Sequence, residues 1–379
     1  MRLSDLRDVL VAFMDAGIAV VIESEPGRGK SEFMRQMIRY LTHRDGYTWG
    51  YQTLFMATQS PTEMLGYQYK GERWWNDEGK LVKPGTAGVE PTAVTEPSLP
   101  PWMLSDEGKP VYAYRRGLLV IEEWGQGESD SKRAAAQLLL KGELGPFHLP
   151  GFSTGDGWGI IALTNGSAHR SGVTKEYDFI INRVAWLKLT DDIVGTEAAL
   201  VERGVLPPLV AFAHQHPEIL LQPGVPEKQG PWMTPRTHEM TSKFLVQWMK
   251  QHGGRIPTDG TTLEAMAGMI GHETAMAVQN FIRLENEVPT IEEIVANPTT
   301  CPVPESLDAR YLVCYSLAHR VSEKNAQQVL IYVDRLGKEF AVTFAKAACG
   351  RMPMLALSPA FTAWAKKNSS LMALMQQFR

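Results

Sequence analysis

Residues 17–31 read GIAVVIESEPGRGKS, and the order of chemistry in this stretch constrains the chain more than any other feature. Gly17–Ser24 is apolar at nearly every position and rich in β-branched side chains. Such a run suits a strand buried on both faces of a parallel sheet. Two glycines and a proline follow in the loop, and SEFMRQMIRYLTHR (31–44) then sets Phe33, Met37, Ile38 and Leu41 on one helical face. Strand, glycine-rich loop, Lys-Ser and helix, in that order, is the context in which a loop cradles phosphate.

The physical reasons lie in the backbone. A helix N-terminus aims unpaired N–H groups and the positive end of its dipole at an anion. Gly27 and Gly29 let the chain curl closely around phosphate with no Cβ in the way. Lys30 reaches the β- and γ-phosphates, and Ser31 ligates a magnesium ion bridging them. The expected cradle for ATP is thus Pro26, Gly27, Arg28, Gly29, Lys30, Ser31 and Glu32. Ser24 stands where the usual G-x-x-x-x-G-K-[S/T] loop begins with glycine.

Further strands are expected at 53–58 (TLFMAT), 117–123 (GLLVIEE), 158–165 (WGIIALTN) and 184–189 (VAWLKL), with a helix at 131–144 and another over 4–15 begun by Ser4. Alternating strands and helices predict an α/β domain on a mainly parallel sheet. GLLVIEE ends in Glu122 and Glu123 at a strand's C-terminal tip. Adjacent carboxylates there divide the work: Glu122 orients magnesium, and Glu123 polarises the water that attacks the γ-phosphate. Asn165, at another strand tip, is a candidate for holding that water, although Asn before Gly is also a common turn pair. Arg183, just before the last strand, is placed to reach a neighbouring subunit's nucleotide; its alternative is a surface arginine. Arg236 opens a helix after Pro235 and is a candidate lid arginine.

Beyond residue 191 the strand signal fades, and helical patterns dominate at 197–214, 236–251, 261–283, 306–321, 325–348 and 358–377. A Pro/Gly-rich connector (PEILLQPGVPEKQGPWMTP, 217–235) lies inside this half, and a second connector, ENEVPTIEEIVANPTTCPVPES, marks a break near residue 300, giving expected domains 1–192, 193–300 and 301–379. Residues 70–110, rich in Gly, Pro and acids with Trp74, Trp75 and Trp102, read as a long inserted loop. The tryptophans read as local packing anchors. A net charge of −4 gives no global pull toward nucleic acid or anionic membrane. Three scattered cysteines (Cys301, Cys314, Cys349) read as buried thiols of a reducing compartment. The N-terminal stretch, interrupted by Asp5, Arg7, Asp8 and Asp15, has no signal-peptide pattern, which points to a cytoplasmic protein.

The ordered set resembles the AAA+ ATPases, and within them the MoxR-type branch. SEPGRGKS resembles its Walker A loop, LLVIEE its Walker B strand, and SPTEMLGYQ (60–68) the segment after its second strand. LLLKGELGPFHLPGFSTGDGWGIIALTNG resembles the pre-sensor hairpin leading to sensor 1 at Asn165; NRV (182–184) matches the arginine-finger position and TPRT (234–237) sensor 2. The C-terminal helical part resembles the shorter MoxR-type ATPases of phages and prophages. The resemblance implies a P-loop domain with a five-stranded parallel sheet, an α-helical lid, a ring of subunits, commonly six, and ATP-driven remodelling of a protein client. It also implies a partner carrying a von Willebrand factor A domain. Ser24 for glycine, Glu122 for the usual aspartate and Gly125 for asparagine depart from the pattern. Two alternatives remain: a nucleic-acid motor or helicase loader using Arg335, Lys338, Lys346, Arg351, Lys366 and Lys367, and an ATP-regulated scaffold with slow hydrolysis.

Overall fold

The computed structural model describes residues 1–2, 5–166, 178–226, 229–285 and 288–368, with the side chains of Phe179 and Glu285 left aside. Ser4 and the end of the 358–377 pattern lie outside the described residues. The chain divides into two units: 1–25 with 29–190, and 191 onward together with Pro26–Arg28.

The first unit begins with α1 (Leu6–Asp15), β1 (Val20–Ser24), α2 (Lys30–Asp45) and β2 (Gly50–Phe55). After α3 (Pro61–Leu65) come β3 (Gln68–Trp75), β4 (Leu81–Val82) and β5 (Pro91–Pro97). Then follow β6 (Gly117–Glu122), α4 (Ser129–Lys141), β7 (Glu143–Leu144), β8 (Phe147–His148), β9 (Trp158–Asn165), α5 (Asp178–Ile181) and β10 (Ala185–Lys188). Five strands form one parallel sheet in the order β10-β1-β9-β6-β2.

The continuous apolar runs explain why this sheet has helices on both sides. Successive side chains of a strand alternate faces. Val20, Ile22, Leu118, Val120, Ile161 and Leu163 bury themselves with Leu6, Leu10 and Met14 of α1 and Met34, Met37, Ile38 and Leu41 of α2. Their neighbours Val21, Leu119, Ile121, Ile160 and Ala162 face a second core containing Trp102, Trp124, Leu138 and Leu139. Trp158 fills the floor of this layer. A Cβ on Gly50 or Gly117 would sit 2.4 or 2.5 Å from its ring, so both strands must start with glycine.

Several local expectations shift. β2 covers 50–55 rather than 53–58, because Gly50, a weak strand signal, is needed beneath Trp158; Met56–Thr58 forms a 3₁₀ turn. On α2, Met34 is buried and Phe33 only half so. The inserted segment is a three-stranded antiparallel sheet, β4-β3-β5, rather than a loop, with β3 mostly solvent-exposed. Trp102 is fully buried and donates its Nε1–H to the Met64 carbonyl (2.8 Å), whereas Trp75 is 36% exposed. β7 and β8 pair as a short antiparallel hairpin.

The second unit is helical: α6 (Ile193–Glu202), α7 (Pro207–Gln215), α8 (Pro217–Leu220), α9 (Pro235–Gln251), α10 (Gly260–Ile270) and α11 (His272–Glu285). It continues with α12 (Ile291–Ala296), α13 (Leu307–Arg320), α14 (Ala326–Leu336), α15 (Lys338–Arg351) and α16 (Pro359–Lys367). The patterns at 261–283 and 325–348 each split where Gly271 and Gly337 take positive φ and end a helix. The pattern at 197–214 splits before Pro207, which opens α7. One apolar core runs from Leu200 to Trp364, and α13 packs on both α7 and α15. The connector near residue 300 therefore does not separate two cores. Among the described residues, no helix is long and apolar enough to cross a membrane.

Candidate functional site

The C-terminal ends of β1, β9 and β6 lie side by side and carry Ser24, Asn165 and Glu122. Ser24 and Asn165 are direct partners in the β1–β9 register. In open α/β sheets this edge is where ligands bind. α2 starts here, with Gly29 as its N-cap at φ 81° and Gly27 at φ 74°. Both conformations favour glycine, as the loop pattern required. A Cβ on Gly29 would meet nothing within 4 Å. At Gly27 it would lie 2.8 Å from the Thr234 hydroxyl.

Lys30 turns its ammonium back across the strand tips. Nζ lies 2.8 Å from Ser24 Oγ, 3.1 Å from Asn165 Oδ1, and 3.2 Å from both the Ser24 and Glu25 carbonyl oxygens. The serine that replaces the first loop glycine thus contributes an acceptor to the lysine, a role the motif alone does not reveal. Ser31 and Glu32 are half-buried on the first turn of α2, and the Glu32 carboxylate pairs with Arg39 at 3.2 Å. Arg28 is committed elsewhere. Its Nε lies 2.7 Å from Asp191 Oδ1, an ionic contact out of line for a hydrogen bond. Its terminal nitrogens donate to the Leu220 and Gln222 carbonyls. Arg28 therefore fixes the loop tip, Pro26–Arg28, within the second unit.

Glu122 ends β6, half-buried, opposite Phe55 in the β2 register. Burial pushes the nearby Tyr51 phenol pKa up, and the Glu122 charge acts in the same direction. Glu123 is exposed and has φ 55°, ψ 37°. Among the described residues it is the one non-glycine with positive φ. A left-handed conformation costs an L-residue about 1–2 kcal/mol, and such strain persists where the surroundings over-determine it. The turn Trp124–Gln126 that follows has its tryptophan fully buried, and Gly125 is buried beside it. The acidic pair was legible in the sequence; the strained backbone under its second member was not.

Arg183 is exposed immediately before β10, the edge strand, and no carboxylate among the described residues pairs with it. Arg236 is exposed near the start of α9, whose N-terminus is closed by a Thr234–Thr237 capping box. The basic residues considered for a DNA path are partly committed: Arg335 donates to the Pro298 carbonyl, Arg351 to Ala318 and Val321, and Lys367 pairs with Asp334.

Ser31 supplies a hydroxyl and Glu122 a carboxylate. These are hard oxygen donors of the kind magnesium takes while keeping water and phosphate oxygens for its remaining positions. The residues present therefore fit the ion.

Strand order, the glycine-rich loop after β1 and the acidic tip of β6 together describe a five-stranded parallel α/β sheet whose candidate site lies at the C-terminal ends of its central strands. No family model and no curated protein matches the chain. Solved structures that match include a candidate ATPase from Cytophaga hutchinsonii, 10% identical over 74% of this chain and 88% of that one, TM-score 0.31. Another is NtrX from Brucella abortus, 13% identical over 98% of this chain and 68% of that one, TM-score 0.32. At such scores neither likeness bears on activity, and the fold assignment rests on the topology itself.

Proposed function

We propose that the chain is a MoxR-like AAA+ ATPase that binds ATP, hydrolyses it, assembles into a ring and remodels a protein client in a chaperone-like way. The observation that carries the reading is Lys30 bridging Ser24 and Asn165 at the strand tips, with Glu122 and Glu123 on the next strand. In this reading Lys30 and the N–H groups at the start of α2 hold the β- and γ-phosphates. Ser31 and Glu122 would hold magnesium, which when bound neutralises charge on the phosphate oxygens. Glu123 takes the proton side of the attacking water, and Asn165 orients that water. Arg183, exposed at the sheet edge, serves a neighbouring subunit's nucleotide, and Arg236 acts as the lid arginine. A protein partner, such as one with a von Willebrand factor A domain, belongs to the same proposal. The partial commitment of the C-terminal arginines favours a protein client over nucleic acid.

Steady-state phosphate release measured across protein concentrations tests the reading. Specific activity is expected to rise with concentration, Lys30→Ala to abolish ATP binding, and Arg183→Ala to bind ATP without turnover. A rate per subunit independent of concentration and untouched by Arg183→Ala would remove the shared-site assembly. DNA-stimulated release would move the assignment to a nucleic-acid motor.

A further inference from the structure

Lys132, on the second turn of α4, is wholly buried. Lysine is almost never fully buried without a strong local reason. Its ammonium lies over the Trp124 ring, 5.6 Å from the centroid, and Trp124 is itself 0% exposed. The Lys132 stem runs beneath Gly127: a Cβ on that glycine would lie 3.5 Å from Lys132 Cγ and 2.6 Å from Met56 Cγ. Ser131, one residue earlier, ties α4 to the Met56–Gln59 segment by donating to the Gln59 carbonyl at 2.6 Å. Trp124 directly follows Glu123, and the Gln126 N–H donates to the Glu123 carbonyl at 2.9 Å.

These contacts converge on the one strained non-glycine among the described residues. An exposed glutamate holds a left-handed conformation only if its neighbours leave no relaxed alternative. Trp124 is the buried neighbour, and Lys132 is the charged group that packs on its face. A desolvated cation over an indole is among the stronger contacts available to a tryptophan.

We infer that Lys132 is a positioning residue: acting through Trp124, it holds the left-handed turn that aims the Glu123 carboxylate at the attacking water. The inference rests on reading Glu123 as the water-polarising group. Misplacing a reacting group by an ångström costs on the order of a hundredfold in rate.

The test measures kcat, and the Kd for ATP, of the full chain carrying Lys132→Met, Lys132→Arg, Trp124→Phe or Glu123→Gln. Lys132→Met is expected to lower kcat about a hundredfold while the Kd stays within about twofold. Lys132→Arg, which keeps a cation able to stack on the ring, is expected to recover most of that loss. If Lys132→Met does not fold, Trp124→Phe decides, with kcat expected to fall about tenfold at unchanged Kd. Wild-type kcat in Lys132→Met or in Trp124→Phe, beside an inactive Glu123→Gln, overturns the positioning role alone. Equal losses in kcat and ATP affinity, not rescued by Lys132→Arg, also overturn it, since they indicate a purely structural lysine. Normal turnover by Glu123→Gln sinks the reading of Glu123 itself.

Discussion

Among the described residues, Lys30 offers its three protons to the Ser24 hydroxyl, the Ser24 and Glu25 carbonyls and the Asn165 amide oxygen. Phosphate oxygens must draw the ammonium away from some of these, and the Ser24 hydroxyl at 2.8 Å is the closest competitor. Ser24→Gly is therefore expected to tighten ATP binding by about fivefold, the worth of roughly one hydrogen bond. Titration with a fluorescent ATP analogue checks this; weaker binding would mean that Ser24 presents the lysine to phosphate. For Glu123→Gln the expectation is unchanged affinity with kcat lowered by about a hundred- to ten-thousandfold, the range of a general base. Single-turnover phosphate release separates the two parameters. What the structure shows of the candidate site was partly legible in the sequence because the loop pattern fixes spacing: Gly27 and Gly29 take the positive φ the pattern calls for, and Lys30 turns back to the strand tips. The contribution of Ser24 and the strain at Glu123 are not legible. One depends on a lysine rotamer, and the other places a glutamate where glycine, asparagine or aspartate is the usual occupant.

At the level of elements, the central strands β1, β6 and β9 were readable because both their faces are buried, so they appear as apolar runs. β9 matches its expected span, and β2 is displaced because glycine carries no strand signal although Trp158 requires it there. α12 hid inside a proline-rich connector, yet its Thr290–Glu293 capping box was a usable signal. The β3-β4-β5 sheet was unreadable for the opposite reason: most of β3 is solvent-exposed, so no alternation marks it. Gly71 shows what organises one of its faces. It leaves room for the Glu96 carboxylate to accept from Tyr69 (3.1 Å) and Arg73 (2.6 Å) across the strand pair. The tryptophans of this region then differ sharply in consequence. Trp102→Ala is expected to lower the stability of the first unit by about 4 kcal/mol, through a cavity and an orphaned Met64 carbonyl. Trp75→Ala should change it by no more than about 0.5 kcal/mol. Urea unfolding followed by far-UV circular dichroism distinguishes them, and equal effects would place Trp75 in a packed environment that its exposure does not suggest.

At the scale of the whole molecule, two units with separate cores call for more than one unfolding transition, so stability arguments belong to each unit separately. In the second unit the buried thiol Cys314 and phenol Tyr315 are both pushed upward by desolvation and stay neutral at ordinary pH. His238 is a fully buried group of this unit whose titration lies within reach, and burial lowers the pKa of the half-buried His319 in the same direction. His238 lies on α9, fully buried, with Nε2–H donating to the Leu209 carbonyl at 2.8 Å and Nδ1 without a hydrogen-bond partner among the described residues. Burial pushes its pKa down to about 4 from an ordinary 6.5. The sign follows from proton counting: between those values the unfolded chain binds a proton that the folded unit refuses, so stability is full above 6.5 and falls as pH drops toward 4. The loss across that window is about 3 kcal/mol. His238→Gln keeps a donor for the Leu209 carbonyl but removes this titration, so its stability should fall less steeply than the parent's across the same window. Thermal scans from pH 7 to 4, following the transition of the helical unit, check the difference between the two. A parent and variant that lose stability in parallel would assign the acid sensitivity to other groups.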